Sequence, residues 1–162
     1  LFSNAGKATR FVEEDVRSMG RTAAGVRGIR LQDGQYVVSL IVVDEGEVLT
    51  ATENGFGKRT PIDEFPVYNR GGQGVIAINT SERNGQLVGA VLVREADEVI
   101  LISNRGTLVR TEVSEISSLS RNTQGVTLIR LGKNERLVQI EPVTAMDDDG
   151  DEEEAEEHDA EE

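Results

Sequence analysis

The sequence has no cysteine and a single histidine, His158, among its 162 residues. The first absence excludes a disulfide framework and thiolate metal sites, and it fits a reducing cytoplasm. The second excludes a Ser-His-Asp arrangement, because His158 stands in a run of acids and such chemistry needs a histidine held on a rigid scaffold. No catalytic residue is expected in this chain. Aromatic residues make up only 4% of it, so any core is aliphatic. Three prolines stand against seventeen glycines, the balance of a chain with many tight turns and short strands. No apolar run approaches the roughly 20 residues of a membrane span, so no membrane partner is expected.

Basic residues are outnumbered, but unevenly. Of the thirty acids, twelve fall within residues 147–162, where there is no Lys or Arg; eighteen acids then face seventeen bases over residues 1–146. The body of the chain is nearly neutral and an acidic segment follows it. That segment, with Asp147, Asp148, Asp149, Asp151, Glu152, Glu153 and Glu154 at its head, cannot bury apolar surface and is expected to be disordered. It is no calcium loop: its glycine comes fourth after the first Asp, and His158 occupies the twelfth place, where a Glu is needed. Adjacent acids such as Glu13-Glu14-Asp15 and Asp44-Glu45 read as a solvated face, so no metal site is expected.

What the chain does have is a repeat. Gly106, Arg110, Arg121, Gly125, Val126 and Ile129 recur as Gly55, Arg59, Arg70, Gly74, Val75 and Ile78, and as Gly6, Arg10, Arg21, Gly25, Val26 and Ile29. The pattern G-x3-R-x10-R-x3-G-V-x2-I stands ungapped in three copies, 49 to 51 residues apart, which marks a repeat architecture. The units are 1–47, 48–98 and 99–146. Leu1 aligns with Leu101, inside a repeat, and there is neither an initiator Met nor a signal peptide; the chain reads as a piece of a longer one.

Each unit carries the marks of about four strands. An apolar run opens it (Val48 to Ala51, Val99 to Ile102), and a turn follows at Gly55 or Gly106. The strand after the turn contains the first Arg. A strand with V-x2-I comes after the second Arg and its glycine. Turns at Asp33-Gly34, Asn84-Gly85 and Asn134-Glu135 lead into last strands over Tyr36 to Val43, Leu87 to Val93 and Leu137 to Val143. The first two of those dipeptides are strong hairpin signals. Four strands per period, without helical periodicity, predict an all-β fold of propeller-like blades, here about three of a ring that needs roughly four to eight.

The repeated cations are the candidate site. Arg10, Arg59 and Arg110 follow the turn glycine; Arg21, Arg70 and Arg121 precede the second glycine; Lys7, Lys58 and Arg105 fall close to the first turn. Equivalent positions of successive blades lie along one rim, and a curved stripe of cations suits a phosphate backbone without any reading of bases. The same arginines can instead brace neighbouring blades through acids or carbonyls. Both readings stay open.

The repeat closely resembles the C-terminal domain of the A-type subunits of bacterial DNA gyrase. The likeness covers residues 1–146 and rests on the three copies of the pattern and on Gly20-Arg21-Thr22-Ala23-Ala24-Gly25-Val26-Arg27-Gly28-Ile29. The family's box, Q-R-R-G-G-K-G, has a degenerate counterpart here in Tyr68-Asn69-Arg70-Gly71-Gly72-Gln73-Gly74, where Arg70 and the three glycines match. The resemblance implies a β-pinwheel of six blades that exchange strands, of which this chain is the second half. It implies binding, bending and wrapping of duplex DNA in support of ATP-dependent negative supercoiling by a type IIA topoisomerase. The implied partners are the rest of gyrase A together with gyrase B, in an A2B2 heterotetramer, in the bacterial cytoplasm at the nucleoid. ATP and Mg would serve the holoenzyme, with no cofactor in this chain. Neither Tyr36 nor Tyr68 lies in the family's cleavage motif, so no strand-cleaving role passes to them. The acidic segment, typical of the family, either serves solubility or regulates DNA binding by competing for the basic rim. The rival readings are the C-terminal domain of the paralogous topoisomerase IV and, from another class, a protein-interaction propeller.

Overall fold

The computed structural model describes residues 1–143. The expected acidic tail from Asp147, and the end of the third unit at 146, lie outside the described residues. Among the described residues the regular elements are strands, apart from single 3-10 turns at Glu13–Asp15, Ile62–Glu64 and Val113–Glu115. No helix among them is long and apolar enough to cross a membrane.

The first repeat supplies β1 (Phe2–Ser3), β2 (Lys7–Ala8) and β3 (Val37–Ser39). The second supplies β4 (Glu47–Thr52), β5 (Phe56–Pro61), β6 (Val75–Ile76) and β7 (Leu87–Val93). The third supplies β8 (Glu98–Ser103), β9 (Leu108–Glu112), β10 (Val126–Thr127) and β11 (Leu137–Val143). Alternation sets the faces: in β8, Val99 and Leu101 are fully buried while Ile100 and Ile102 are half-exposed, as a period of two requires. Strands rich in Val, Ile and Thr favour this pleated, partly buried surface.

The sheets do not coincide with the repeats. Their strand orders are β3-β1-β2-β6, β10-β5-β4-β7 and β11-β8-β9, antiparallel throughout. The short strand β6, from the second repeat, closes the first sheet against β2. In the same way β10, from the third repeat, closes the second sheet against β5. The first two blades thus take their outer strand from the repeat that follows, which is the strand exchange implied by the family resemblance.

This arrangement corrects the hairpin reading of the turn dipeptides. The turns do form, with φ of 77° at Gly34, 72° at Gly85 and 58° at Asn134. Those at Gly85 and Asn134 join strands of different sheets, however, and the one at Gly34 has no strand directly before it, so no ladder grows from them. The physical reason is length: β6 ends at Ile76 and β7 begins at Leu87, too long a gap for a two-residue hairpin to register the two strands. The last strands β7 and β11 fall where the sequence puts them. In the first copy pairing covers only Val37–Ser39 rather than Tyr36 to Val43, because the partner β1 is itself two residues long.

Strands β3, β7 and β11 lie next to one another on the inner side: the Ala90 amide of β7 donates to the Ser39 hydroxyl at 3.0 Å, and Ile140 of β11 packs on Gly89. The strands β6 and β10 form the opposite, outer side. The core sits in the joints between blades. Phe2, Ala8, Val48, Phe65, Ala77, Ile78 and Leu87 fill the first joint, with the Phe2 and Phe65 rings edge-on at 5.9 Å. Leu49, Val93, Val99, Val113 and Ile116 belong to the second, and Ala51, Leu101, Ile129, Leu137 and Ile140 complete it. Each fully buried Leu or Ile stabilises by roughly 1.5–3 kcal/mol.

Candidate nucleic-acid interface

The six-residue pattern describes the joint. Gly55 closes the turn between β4 and β5, and its carbonyl accepts from the Leu128 amide of the next repeat at 2.8 Å. The Gly6 carbonyl accepts from Ala77 in the equivalent bond, also at 2.8 Å. Gly125 lies so close to the Gly57 backbone that a side chain there would collide with its carbonyl oxygen. The V-x2-I residues then form the exchanged strand and bury Ile78 and Ile129 behind it.

The repeated arginines lock these joints from both directions. The first Arg reaches forward. Arg10 donates through Nη1 to the carbonyls of Ile62 and Phe65, at 3.1 and 3.2 Å, and Arg59 donates through Nε to that of Ile116 at 2.7 Å. Arg59 also pairs through Nη1 with Glu47 at 2.8 Å. The second Arg reaches back. Arg70 donates to the carbonyls of Asp15 and Arg27, at 3.0 and 2.9 Å. Arg121 donates to those of Glu64 and Ile76, at 2.9 and 2.7 Å. Asp15 and Glu64 are equivalent in the repeat, as are Arg27 and Ile76, so the same staple is built twice. Bracing through carbonyls, one of the two readings left open by the sequence, is what these four guanidinium groups do in this structure.

Lys58 is also structural. Its ammonium is fully buried in the second joint, where it donates to the Ser120 carbonyl at 2.6 Å, the Arg121 carbonyl, and the Thr123 hydroxyl at 2.9 Å. The first and third repeats carry Thr9 and Val109 at this place. Desolvation outweighs the nearby Glu64 carboxylate and lowers the Lys58 pKa to about 8. Since the unfolded chain then holds more protons than the folded one between about 8 and the ordinary value of 10.5, stability rises with pH across that window. A urea titration series should show the parent gaining stability from pH 8 to 10.5 and Lys58→Met gaining none; equal slopes would remove Lys58 as the source.

The remaining candidates lie at open positions. Arg21 and Arg110 are the repeat equivalents whose neighbouring blade is not in this chain. Arg21 is exposed, and among the described residues Arg110 pairs with Glu98 of its own sheet, its Nε donating at 2.6 Å. Arg105 is exposed in the turn between β8 and β9. Lys7 is half-buried on β2 opposite Ile76. The nine cations are therefore not one row: Arg10, Arg59, Arg70, Arg121 and Lys58 sit in joints, and the rest are distributed around them.

The acid-free positive surface lies on the outer side, and most of its arginines fall outside the repeated pattern. The exchanged strand with its preceding loop occupies residues 65–81 and 116–132, and 16–32 is the equivalent segment of the first repeat, without a strand; these segments contain seven arginines and no acid. Arg17, Arg21, Arg27, Arg30 and Arg130 among them are exposed, and Arg70 and Arg121 half-buried. By contrast, thirteen of the eighteen acids of residues 1–146 lie in 13–15, 44–47, 63–64, 95–98 and 112–115, all at the end of the blades where β5 and β9 finish and β4 and β8 begin. The signal was available in the sequence as acid-free windows at the repeat period. Arg83 adds a further cation at the opposite end, its guanidinium 4.0 Å over the Phe56 ring and donating to the Gln124 side chain at 2.8 Å.

Known proteins carry the same design. A family profile described as DNA gyrase C-terminal domain, beta-propeller, matches residues 1–44, 46–94 and 97–144, one stretch per repeat. The chain is 58% identical over 144 residues to the DNA gyrase A protein of Pseudomonas aeruginosa, covering 88% of this chain and 16% of that one. It is 53% identical over 152 residues to the DNA gyrase A protein of Escherichia coli K12, covering 93% and 17%. It thus spans about a sixth of these relatives. Among solved structures, a DNA gyrase A C-terminal domain superposes with a TM-score of 0.82 at 30% identity, over 88% of this chain and 49% of that one. The C-terminal domain of a DNA topoisomerase IV gives 0.81 at 26%, over 88% and 45%. With three profile matches in register with three repeats, the chain belongs to the DNA gyrase C-terminal domain family of β-propellers.

Proposed function

We propose that this chain binds duplex DNA along its outer side and bends it, as half of the wrapping domain of a gyrase A protein. The observation that carries the reading is the charge segregation: the exchanged strands and their loops hold arginine without acid on the convex side of a curved row of blades. A phosphate backbone following that side meets four exposed arginines of the first repeat and Arg130 of the third, whereas the carboxylates at the blade ends repel it. Bending 20–30 base pairs by 40–90° costs on the order of 1–6 kcal/mol, so several phosphate contacts must offset it. The bracing arginines serve the function indirectly, by fixing the angle between blades and hence the curvature presented to DNA.

In the parent protein the reading extends to negative supercoiling driven by ATP and Mg within an A2B2 assembly with gyrase B, in the bacterial cytoplasm at the nucleoid. Residues 1–146 form the pinwheel half and 147–162 a regulatory acidic tail that competes with DNA for the rim. A filter-binding titration of a duplex of mixed sequence against salt tests both. If the five exposed outer arginines each neutralise a phosphate, log K falls by about 4 to 5 units per log unit of salt. Removal of 147–162 should tighten binding at low salt. Absence of binding at about 50 mM salt would sink the DNA reading; unchanged affinity without the tail would sink the competition.

A further inference from the structure

We infer that Arg27 and Arg30 supply the cations of a phosphate seat whose floor is the Gly71-Gly72 loop of the following repeat. This rests on the duplex-DNA reading above and narrows it to one joint. The loop Tyr68 to Gly74 carries a single basic residue, Arg70, and the Arg70 guanidinium is committed to the Asp15 and Arg27 carbonyls. The loop alone is therefore a poor anion site. It is, however, sewn onto the outer segment of the first repeat: the Gly71 amide donates to the Gly28 carbonyl at 2.7 Å, and the Arg30 amide donates to the Gly72 carbonyl at 2.8 Å. The stem of Arg27 lies along Gly71, its Cγ 3.9 Å from where a Cβ would stand. Two exposed guanidinium groups thus flank two glycines.

The floor is open. A Cβ added at Gly72 would meet nothing within 4 Å, so a sugar–phosphate chain can come down onto the backbone between the arginines. The second joint provides the contrast. Asn79 donates to the Thr123 carbonyl in the equivalent bond, at 3.0 Å, but the residues in the places of Arg27 and Arg30 are Ile76 and Asn79, and the loop reads Arg121-Asn122-Thr123. One bond of the zipper recurs there without the two flanking arginines. Basic residues absent from the loop have been provided by the blade it rests on.

The test replaces the two arginines with the residues of the second repeat, Arg27→Ile and Arg30→Asn, and adds Gly72→Leu, which leaves charge unchanged. Binding of the 162-residue chain to a 40-base-pair duplex is followed against salt. The double variant should lose about 1.8 units from the salt slope, and Arg27→Lys with Arg30→Lys should restore most of it. Gly72→Leu should weaken binding about tenfold with the unfolding midpoint unchanged. If the parent binds and the double variant keeps its slope, or if Gly72→Leu binds as the parent does, the seat is wrong while the DNA reading stands. Failure of the parent to bind overturns both.

Discussion

Replacing Arg59 with alanine lowers the unfolding free energy by about 3 kcal/mol, the scale for removing one partner of a buried, hydrogen-bonded ion pair. The same replacement at Arg110 leaves the urea midpoint where it was. The two residues hold one place in the repeat and each meets the carboxylate twelve residues upstream, Glu47 or Glu98. Their surroundings separate them. The Arg59 side chain is 11% exposed and spans the joint to the Ile116 carbonyl, whereas that of Arg110 is 60% exposed and, among the described residues, pairs within its own sheet. Loss of Arg59 leaves Glu47 half-buried with only the Ser118 hydroxyl and the Ile116 carbonyl without its side-chain donor. Loss of Arg110 releases Glu98 into water, where exposed pairs contribute little. Unfolding of both variants followed by circular dichroism decides: equal effects would mean that the charge pair matters and the joint does not.

Alanine at Gly55 should cost about 3 kcal/mol or more, and alanine at Gly106 only about 1 kcal/mol. Both glycines have left-handed backbones, with φ of 85° and 79°, and this alone costs an L residue roughly 1–2 kcal/mol. At Gly55 there is a second term: the new methyl would run into the Ile129 carbonyl oxygen, with the Ile129 side chain 3.1 Å away, whereas at Gly106 nothing stands within 4 Å. Overpacking of this kind adds about 1–3 kcal/mol. The Ile129 carbonyl is backbone of the exchanged segment, so relief requires the blades to part. Gly55→Ala should therefore also weaken DNA binding by disturbing the curvature, while Gly106→Ala should not. A thermal midpoint equally depressed in the two variants would refute the steric account of the joint.

The period, the turn positions and two of the three last strands could be read from residues because each depends on local chemistry. Asn134 illustrates how far that goes: it stands where Gly34 and Gly85 stand, and it adopts the same left-handed conformation at 58°, one of the few other residue types that tolerates it. The strand exchange was legible only through family likeness. Periodicity marks Val75-Ile76 and Val126-Thr127 as strands but contains nothing about which edge they join, since pairing partners are set across the joint. The arginines failed as a simple charge stripe for a related reason. A guanidinium beside glycine suits a phosphate and a ring of carbonyls equally, and only the position of the neighbouring blade distinguishes them. Lys58 was placed near the first turn as a rim cation, yet it is fully buried; a lysine between Gly57 and Arg59 gives no sign that three oxygens await it. Arg17, Arg27, Arg30 and Arg130 escaped because they do not all recur, although the acid-free windows around them do.

Because the first two blades borrow their outermost strand from the repeat downstream, the unit of architecture and the unit of sequence are out of phase by a fraction of a period. Excising one period of 49 to 51 residues from the interior would bring a new donor to each old edge and rebuild a sound seam, whichever residue the cut began on. Excising half a period would strand a donor without an edge. Duplication and loss of whole copies is thus the route by which such a row can lengthen or shorten, and with each step the arc available to a wrapped duplex changes by one blade.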